Sequence, residues 1–252
     1  MSPTLVLVHG AWHSAKHFEP LIRILASHGY KCITVDCPST NDTQTLSTFE
    51  DDCEAVRAAV LHELVSADVL LVPHSYGGTV STNALQGLSS ATRSASGYAT
   101  SVVGIAYLCA AVLPPGTAFL EPFGGKALPI HDLSANDGLV RVGPPGPRHY
   151  FYNDLCDSEA AHWASLLRPQ SWGAVTNCVG KAEAYIEIPA HYLFCTKDQA
   201  IPIEGQRAMV TQAEARSGRK FRTEELDCAH SPFLSVPEKT VQFVRRSAGE
   251  AC

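Results

Sequence analysis

Three side chains suited to nucleophilic catalysis follow three separate apolar segments of this sequence. They are Ser75, Asp198 and His230, in that order along the chain. In such a set a neutral histidine accepts the serine proton as the hydroxyl oxygen attacks a carbonyl carbon, and the carboxylate orients the imidazole and stabilises its charged form. Taken alone, Asp198 could cap the helix that Pro202 opens and His230 could lie on the surface. Their shared order and placement favour catalysis.

The residues around Ser75 predict a strand, a sharp turn and a helix. An apolar run at 68–72 precedes Ser75, two glycines follow it, and helical spacing continues from 79 to 88. This is the layout of a nucleophile elbow, which holds a serine hydroxyl clear of a sheet, although an ordinary strand-to-helix turn is the alternative. Pro73 stands where the usual G-x-S-x-G pattern has glycine. Since proline can end a strand, the nucleophile remains available.

The elements that position these side chains alternate along the chain. Six strands are predicted, most of them as apolar runs, and segments with helical spacing separate most of them. The strands are predicted at 4–8, 31–35, 68–72, 102–108, 190–195 and 221–226. This alternation indicates an α/β fold with a mainly parallel six-stranded sheet and helices on both faces. The three candidate side chains would then share the edge where the carboxyl ends of the strands meet.

A middle segment interrupts the alternation. Proline and glycine are dense between residues 114 and 147, where no long periodic pattern fits. Helical patterns return at 157–167 and 169–180. The predicted division is a core of 1–112 and 189–252 with an inserted, mainly helical cap of 113–188.

Backbone and pocket groups near Ser75 complete the predicted site. The backbone N–H of Ala11, in the loop after the first strand, could pair with that of Tyr76 to bind an oxyanion. Further substrate-binding candidates adjoin these positions or lie in the cap, and ordinary packing is the alternative for each. They are Gly10, Trp12, His13, Phe123, Phe151, Trp163 and Phe233. Their mostly apolar character would suit a medium-sized hydrophobic small molecule.

Composition and charge exclude several other classes of protein. The 252 residues carry a formal net charge of −6 and no basic stripe, so neither nucleic acid nor an anionic membrane is an expected partner. The N-terminus lacks the pattern of a signal peptide, and no apolar run approaches the length of a membrane span. Nine scattered cysteines without a C-x-x-C pair predict reduced thiols in a cytoplasmic protein. The oligomeric state stays open, a homodimer included.

Neither a cofactor nor a metal is expected. His9, His13 and His17 are spaced by four residues, as metal ligands on a helix can be, but Gly10 and the predicted loop disfavour a continuous helix there. The sequence also lacks a P-loop and a G-x-G-x-x-G motif after the first strand. The predicted chemistry therefore uses side chains and backbone groups of the protein alone.

At these motifs the chain resembles the α/β-hydrolase superfamily, and within it the compact branch of plant methylesterases and hydroxynitrile lyases. The resembling segments lie towards both ends of the chain, at 8–13, 74–78, 197–202 and 230–235. The order serine, acid, histidine is also that of the superfamily. The resemblance implies an α/β-hydrolase fold in which the middle segment forms the cap over the site. That middle segment looks like those of uncharacterised fungal and bacterial members.

The reaction type is predicted from two positions at which the resembling lyases differ. Those lyases place a lysine directly after the catalytic histidine and a threonine at the position of Gly10, whereas here the histidine is followed by Ser231. We therefore expect a serine hydrolase that cleaves a carboxylic ester or lactone through an acyl-Ser75 intermediate. Two alternatives stay open. One is a non-hydrolytic lyase, cyclase or decarboxylase of a biosynthetic pathway, and the other is a ligand receptor whose triad turns over slowly.

Overall fold

One parallel sheet forms the centre of the molecule. The computed structural model describes residues 2–41, 46–121 and 124–252. The strands of this described part are β1 (Thr4–Val8), β2 (Cys32–Val35), β3 (Val69–Pro73), β4 (Val102–Leu108), β5 (His131–Asp132), β6 (Leu139–Val142), β7 (Gln170–Ser171), β8 (Ala190–Cys195) and β9 (Arg222–Leu226). Six of them form the main sheet in the order β2-β1-β3-β4-β8-β9, and every neighbouring pair is parallel.

Helices cover both faces of this sheet, as predicted. The α-helices of the described residues are α1 (Glu19–Ser27), α2 (Phe49–Glu63), α3 (Gly77–Ala84), α4 (Ser90–Ala95), α5 (Pro147–Phe151), α6 (Asp157–Ala164), α7 (Trp172–Thr176), α8 (Ile203–Ser217), α9 (Pro232–Ser235) and α10 (Pro237–Ser247). Apolar residues of α1 and α10 pack in one core, and those of α2, α3 and α8 pack in the other. None of these described helices is long and apolar enough to cross a membrane.

Strand β1 shows why the central strands of the sheet are continuous apolar runs. All five of its residues are buried. Leu5 and Leu7 belong to the core beneath α1 and α10, whereas Val6 and Val8 belong to the core beneath α2 and α3. Because each face of the sheet is covered, both sets of alternating side chains are apolar. Burying one such side chain contributes roughly 1.5–3 kcal/mol.

The segment between β4 and β8 contains both short helices and a second sheet. Helices α6 and α7 lie within the segments predicted to be helical at 157–167 and 169–180. Strands β5, β6 and β7 form a small antiparallel sheet that was not predicted. Its strands have only two to four residues, too few to show an alternating pattern. The boundaries of the cap, 113–188, stay a prediction.

The segment between β4 and β8, which was predicted to form a cap, is joined to the rest of the fold by backbone hydrogen bonds as well as by apolar contacts. Ser171 of β7 donates its N–H to the carbonyl oxygen of Ser39 over 2.8 Å, and Arg168 donates its N–H to the carbonyl oxygen of Trp12 over 2.8 Å. The side chain of Trp12 also belongs to the apolar cluster of the cap. The loop after β1 is therefore part of the cap–core contact.

The order of the strands reverses direction between β1 and β3. From β1 the chain first adds β2 on one side and then β3 and β4 on the other. In open parallel sheets, ligands bind outside the carboxyl ends of the strands at such a reversal. The loops that follow β1 and β3 start at this point.

Candidate active site

The turn at Ser75 has the strained geometry of a nucleophile elbow. The φ of Ser75 is 52°, in the left-handed region that residues other than glycine rarely adopt. Its N–H donates to the carbonyl oxygen of Leu108 (3.3 Å), and its own carbonyl oxygen accepts from the N–H of Ala111 (2.9 Å). Pro73 is the last residue of β3, where it pairs with Val8. Proline at this position is thus compatible with the elbow.

Three glycines leave the space that this turn requires. A Cβ on Gly10 would lie 2.6 Å from the Cβ of Ser75, so the loop after β1 reaches the serine only without a side chain. A Cβ on Gly77 or Gly78 would lie 2.6 or 2.4 Å from a backbone carbonyl oxygen. Real Cβ atoms do not approach other atoms this closely, so α3 starts directly behind the serine because its first two residues are glycine.

His230 and Asp198 form a buried pair. His230 follows β9, Asp198 follows β8, and the histidine Nδ1 donates a 2.6 Å hydrogen bond to the carboxylate Oδ2. Gln206 Nε2 donates to the same oxygen over 3.0 Å, and the N–H groups of Ala200 and Ile201 both donate to Oδ1 over 2.8 Å. Because a carboxylate only accepts, the proton lies on Nδ1 of His230. Its Nε2 is then an acceptor for a serine proton.

Two side chains that the sequence analysis missed hold the backbone of His230. The Nε2 of His74 donates to the carbonyl oxygen of His230 over 2.8 Å, and the thiol of Cys109 donates to the same oxygen over 3.2 Å. Burial keeps the pKa of His74 well below its ordinary value, so its ring is a neutral donor. Sequence position could have indicated these two residues, because His74 directly precedes Ser75 and Cys109 directly follows β4.

The same three side chains are the candidate metal ligands among the described residues. The ligand atoms of His74, Cys109 and His230 lie within 4.8 Å of one another. The hydrogen bonds described above already engage the Nε2 of His74, the thiol of Cys109 and the Nδ1 of His230. Burial also raises the pKa of the Cys109 thiol to about 12, which opposes the thiolate form that a metal binds. We interpret the cluster as support for the His230 loop.

Ser75 and His230 line the same cavity. Among the residues that the structure describes, no hydrogen bond joins the serine hydroxyl to the imidazole. Hydrogen bonds between a nucleophile and its base often tighten only when substrate binds. Both groups nevertheless reach the space in which a substrate carbonyl would react.

The backbone groups predicted to bind an oxyanion are available for it. Ala11 and Tyr76 both line the cavity, and neither of their N–H groups donates a hydrogen bond to another described residue. Tyr76 also precedes the first residue of α3, where the helix dipole favours negative charge. Two unpaired N–H groups near a serine can stabilise the oxyanion of a tetrahedral intermediate.

His13 fixes the loop that carries Ala11. Its Nδ1 donates to the carbonyl oxygen of Ala11 over 2.8 Å, and its Nε2 accepts from the hydroxyl of Tyr152 over 3.1 Å. Burial keeps the pKa of His13 well below its ordinary value, so the ring is neutral. Trp12, between these residues, has a left-handed φ of 61°. His13 therefore positions the loop from behind, although it was predicted to bind substrate.

The cavity that Ser75 and His230 line is apolar and has a volume of about 250 Å³. Trp12 and Phe151, both predicted to bind substrate, form part of its wall and lie 5.7 Å apart between ring centroids. None of the described wall residues is an aspartate, glutamate, lysine or arginine. The wall therefore favours a neutral and largely apolar ligand.

Phe233 and Trp163, which were also predicted to bind substrate, are not part of the cavity wall. The ring of Phe233 packs against that of His74, with 4.9 Å between centroids. Trp163 packs beside His17 at 5.9 Å. Phe123 lies outside the described residues, so its predicted role stays untested.

Much of the wall was not predicted from the sequence. The segment between β4 and β8 adds Leu113, Phe119, Leu128, Ile130, His131 and Val175. Helix α8 adds one face, formed by Gly205, Ala208, Met209 and Gln212. These four residues have the spacing of one helix face, so the sequence could have indicated that they lie together. The contributions from the cap have no comparable pattern.

Comparisons with known proteins relate nearly the whole chain to one group. The sequence profile described as the Alpha/beta hydrolase family matches residues 5–243. The alpha/beta hydrolase nvfD of Aspergillus novofumigatus is 31% identical over 256 residues, which cover 100% of this chain and 98% of that protein. Norfluorocurarine synthase 2 of Strychnos is 25% identical, with 94% and 92% covered. The crystal structure of a methylesterase from Arabidopsis has a TM-score of 0.75 at 22% identity, with 98% and 99% covered.

These matches agree with the resemblance drawn from the motifs. The α/β-hydrolase fold and the similarity to compact hydrolases that include plant methylesterases are both confirmed. The sequence profile spans most of the chain, and one relative exceeds 30% identity over the whole of this chain. The chain belongs to the alpha/beta hydrolase family.

Proposed function

We propose that this protein is a serine hydrolase that cleaves a carboxylic ester or lactone through an acyl-Ser75 intermediate. The main support for this proposal is a single observation. Ser75 lies on its strained turn, His230 is hydrogen-bonded to Asp198, and both Ser75 and His230 line one apolar cavity. A serine, a histidine and an acid in these roles are the requirement for nucleophilic attack on an acyl carbon.

The proposed reaction has two similar halves. His230 Nε2 takes the hydroxyl proton of Ser75 as Oγ bonds to the carbonyl carbon, and the N–H groups of Ala11 and Tyr76 stabilise the oxyanion. The bond to the leaving alcohol then breaks, and His230 returns the proton to the alcohol oxygen. A water molecule repeats the sequence on the acyl-enzyme, which releases the acid and restores the serine.

The cavity supports a neutral, hydrophobic substrate of medium size. Its volume of about 250 Å³ lies just below the usual range of ligand pockets, about 300–1,000 Å³. The described wall residues offer no charged partner for an ionic substrate. The Arabidopsis relative is named a methylesterase, which supports an ester as the reacting group.

A non-hydrolytic reaction in the same cavity is the second candidate. One relative that matches 94% of this chain is named a norfluorocurarine synthase, which favours a biosynthetic step. Product analysis in water enriched in heavy oxygen separates the two candidates, because only hydrolysis incorporates an oxygen atom of the solvent. Unlabelled products would support the second candidate.

We also propose a cytoplasmic location. The nine cysteines are free, and five of them are buried. Cysteines that persist as thiols are typical of reducing compartments, whereas secreted proteins usually pair theirs.

The first test is covalent labelling with a fluorophosphonate, followed by measurement of the intact mass. We expect one adduct on the native protein and none on Ser75→Ala. Labelling of His230→Ala should be roughly 100-fold slower or more, since the hydroxyl loses its general base. The absence of an adduct on the native protein would argue against an activated serine.

Ser81→Ala is a matched control for this experiment. Ser81 is a buried serine of α3, six residues after Ser75, and its hydroxyl has no hydrogen-bond partner among the described residues. We expect Ser81→Ala to be labelled at the native rate. Equal loss of labelling in both serine variants would indicate damage to the fold.

A further inference from the structure

His131 places a polar ring in the wall that the cap contributes. It belongs to β5, and its ring lies 5.8 Å from Trp12 and 5.1 Å from Trp172. Along the same wall, Trp12 contacts Phe151 at 5.7 Å, and Phe151 contacts His230 at 5.7 Å. Two aromatic rings thus separate His131 from the reacting histidine. A ligand that touches both histidines would extend along this wall.

The hydrogen bond to His131 sets which of its nitrogens carries the proton. The backbone N–H of Leu128 donates to its Nδ1 over 3.0 Å. A ring nitrogen that accepts a hydrogen bond carries no proton, so the proton of the neutral ring is on Nε2. Burial lowers the pKa of His131 to about 4, so the ring is neutral near pH 7. The Nε2–H is therefore a donor of fixed tautomer.

Two other polar groups of the wall already have partners inside the protein. The indole N–H of Trp12 donates to the carbonyl oxygen of Val140 over 3.0 Å, and the hydroxyl of Tyr76 donates to Asp52 over 2.8 Å. Within the described residues, the Nε2 of His131 has no partner, and it is not among the polar atoms sealed from solvent. Because His131 lines the apolar cavity, an unpaired donor on its ring favours ligands that bring an acceptor.

We propose that the Nε2–H of His131 donates a hydrogen bond to a second oxygen of the substrate, apart from the carbonyl that Ser75 attacks. This inference rests on the proposed function, because it places the reacting ester at Ser75. It narrows the substrate class to neutral hydrophobic esters or lactones with a further carbonyl, ether or hydroxyl oxygen toward the cap. A charged group at that position would find no counter-ion among the described wall residues.

The test compares ligands that differ by a single oxygen. Methyl octanoate and four keto derivatives, with the ketone moved from the fourth to the seventh carbon, are titrated by calorimetry into Ser75→Ala. The titrations are repeated with His131→Phe and His131→Gln added to that variant. Phenylalanine keeps an aromatic ring beside Trp12 and Trp172 but has no donor, whereas glutamine keeps an N–H group near the position of Nε2.

The quantity of interest is the Kd of methyl octanoate divided by the Kd of each keto ester. At one or more ketone positions, we expect this ratio to be about tenfold larger with His131 than with phenylalanine, the effect of one neutral hydrogen bond. Glutamine should recover part of the preference. Equal ratios for His131 and phenylalanine at every position would overturn the proposal, and so would failure of every keto ester to bind.

His162→Phe is the matched control, because His162 is exposed on α6 and lies outside the cavity wall. It should leave the ratio unchanged, and the melting temperature of each variant reports on the fold. The readout is binding to a variant without the nucleophile, so it does not depend on hydrolysis. Failure of the proposed function would appear instead as a missing fluorophosphonate adduct on Ser75.

Discussion

At the scale of single residues, Asp198 accepts hydrogen bonds on both of its carboxylate oxygens. Oδ2 accepts from His230 and Gln206, and Oδ1 accepts from the backbone N–H groups of the loop that leads into α8. The alternative that Asp198 caps α8 is not what the structure shows, because the N-cap residue is Pro202 and no side chain caps it; Oδ1 instead accepts from the loop before the helix. The loop contacts fix the carboxylate, and the fixed carboxylate orients the imidazole.

Asp198→Asn tests that orientation. If the amide oxygen keeps the loop contacts, the amide N–H group faces Nδ1 of His230, which must then accept. The proton of the ring would move to Nε2, which could no longer take a proton from Ser75. We expect kcat for an ester substrate to fall by roughly 10³–10⁴. The melting temperature should also fall, because the Nε2 of Gln206 loses its acceptor.

Asp227→Asn is the control for this substitution. Asp227 also follows β9, but it is exposed and forms a surface ion pair with Lys197 at 2.8 Å. Water screens this exposed ion pair, and Asp227 lies outside the cavity wall, so kcat should stay near the native value. Equal losses in Asp198→Asn and Asp227→Asn would contradict the role of Asp198.

At the scale of elements, Asp52 of α2 joins the elbow to the cap. Its Oδ2 accepts from the hydroxyls of Tyr76 (2.8 Å) and Ser39 (2.6 Å), and its Oδ1 accepts from the N–H of Ser39 (2.8 Å). Ser39 in turn accepts from Gln170 and Ser171 of β7. One buried carboxyl group therefore links α2, Tyr76 of the Ser75 turn and, through Ser39, the small antiparallel sheet.

Titration of Asp52 should make the free energy of unfolding depend on pH. Burial raises its pKa to about 6 in spite of three donors, above the value of 3.8 for an unshifted aspartate. The folded state therefore holds this proton more tightly than the unfolded state. The resulting stabilisation is fully present below pH 3.8 and is lost as the pH rises through 6.

Urea unfolding of the native protein and Asp52→Asn between pH 4 and 7 measures this effect. Over that range, the free energy of unfolding of the native protein should fall by about 2 kcal/mol relative to that of Asp52→Asn. Glu54→Gln changes an exposed residue of the same helix, and its free energy of unfolding should depend on pH in the same way as that of the native protein. Parallel curves for Asp52→Asn would contradict the raised pKa.

At the scale of the whole molecule, burial controls the reactivity of nine cysteines. Only Cys156 and Cys252 are exposed, and all nine positions lie in the described part of the chain. Burial raises the pKa of Cys32 to about 11 and that of Cys53 to about 12. Even the half-buried thiols are therefore poor nucleophiles near neutral pH.

Thiol titration with Ellman's reagent near pH 8 checks this distribution. We expect the two exposed cysteines to react rapidly in the folded protein and all nine to react in denaturant. Cys156→Ser should remove one of the rapidly reacting thiols. Fewer than nine reactive thiols in denaturant would reveal a disulfide and would also argue against the proposed cytoplasmic location.

Local patterns were sufficient to predict the strands of the main sheet and its parallel arrangement. A strand covered on both faces is apolar throughout, and this property is visible within five or six residues, as in β1 and β8. The order of Ser75, Asp198 and His230 also follows from local sequence, because each lies just after a strand. Their shared sheet edge then follows from the parallel arrangement.

The cavity wall and the polar contacts behind it were decided by the tertiary structure. His131, the α8 face and Asp52 come from distant parts of the chain, and their meeting depends on how the cap packs over the sheet. The short strands of the cap carry too few residues for a periodic pattern, so their register could not be derived from sequence. The positions of Ser75, Asp198 and His230 at strand ends are set by local geometry and topology, whereas the cavity wall arises from contacts between segments far apart in sequence.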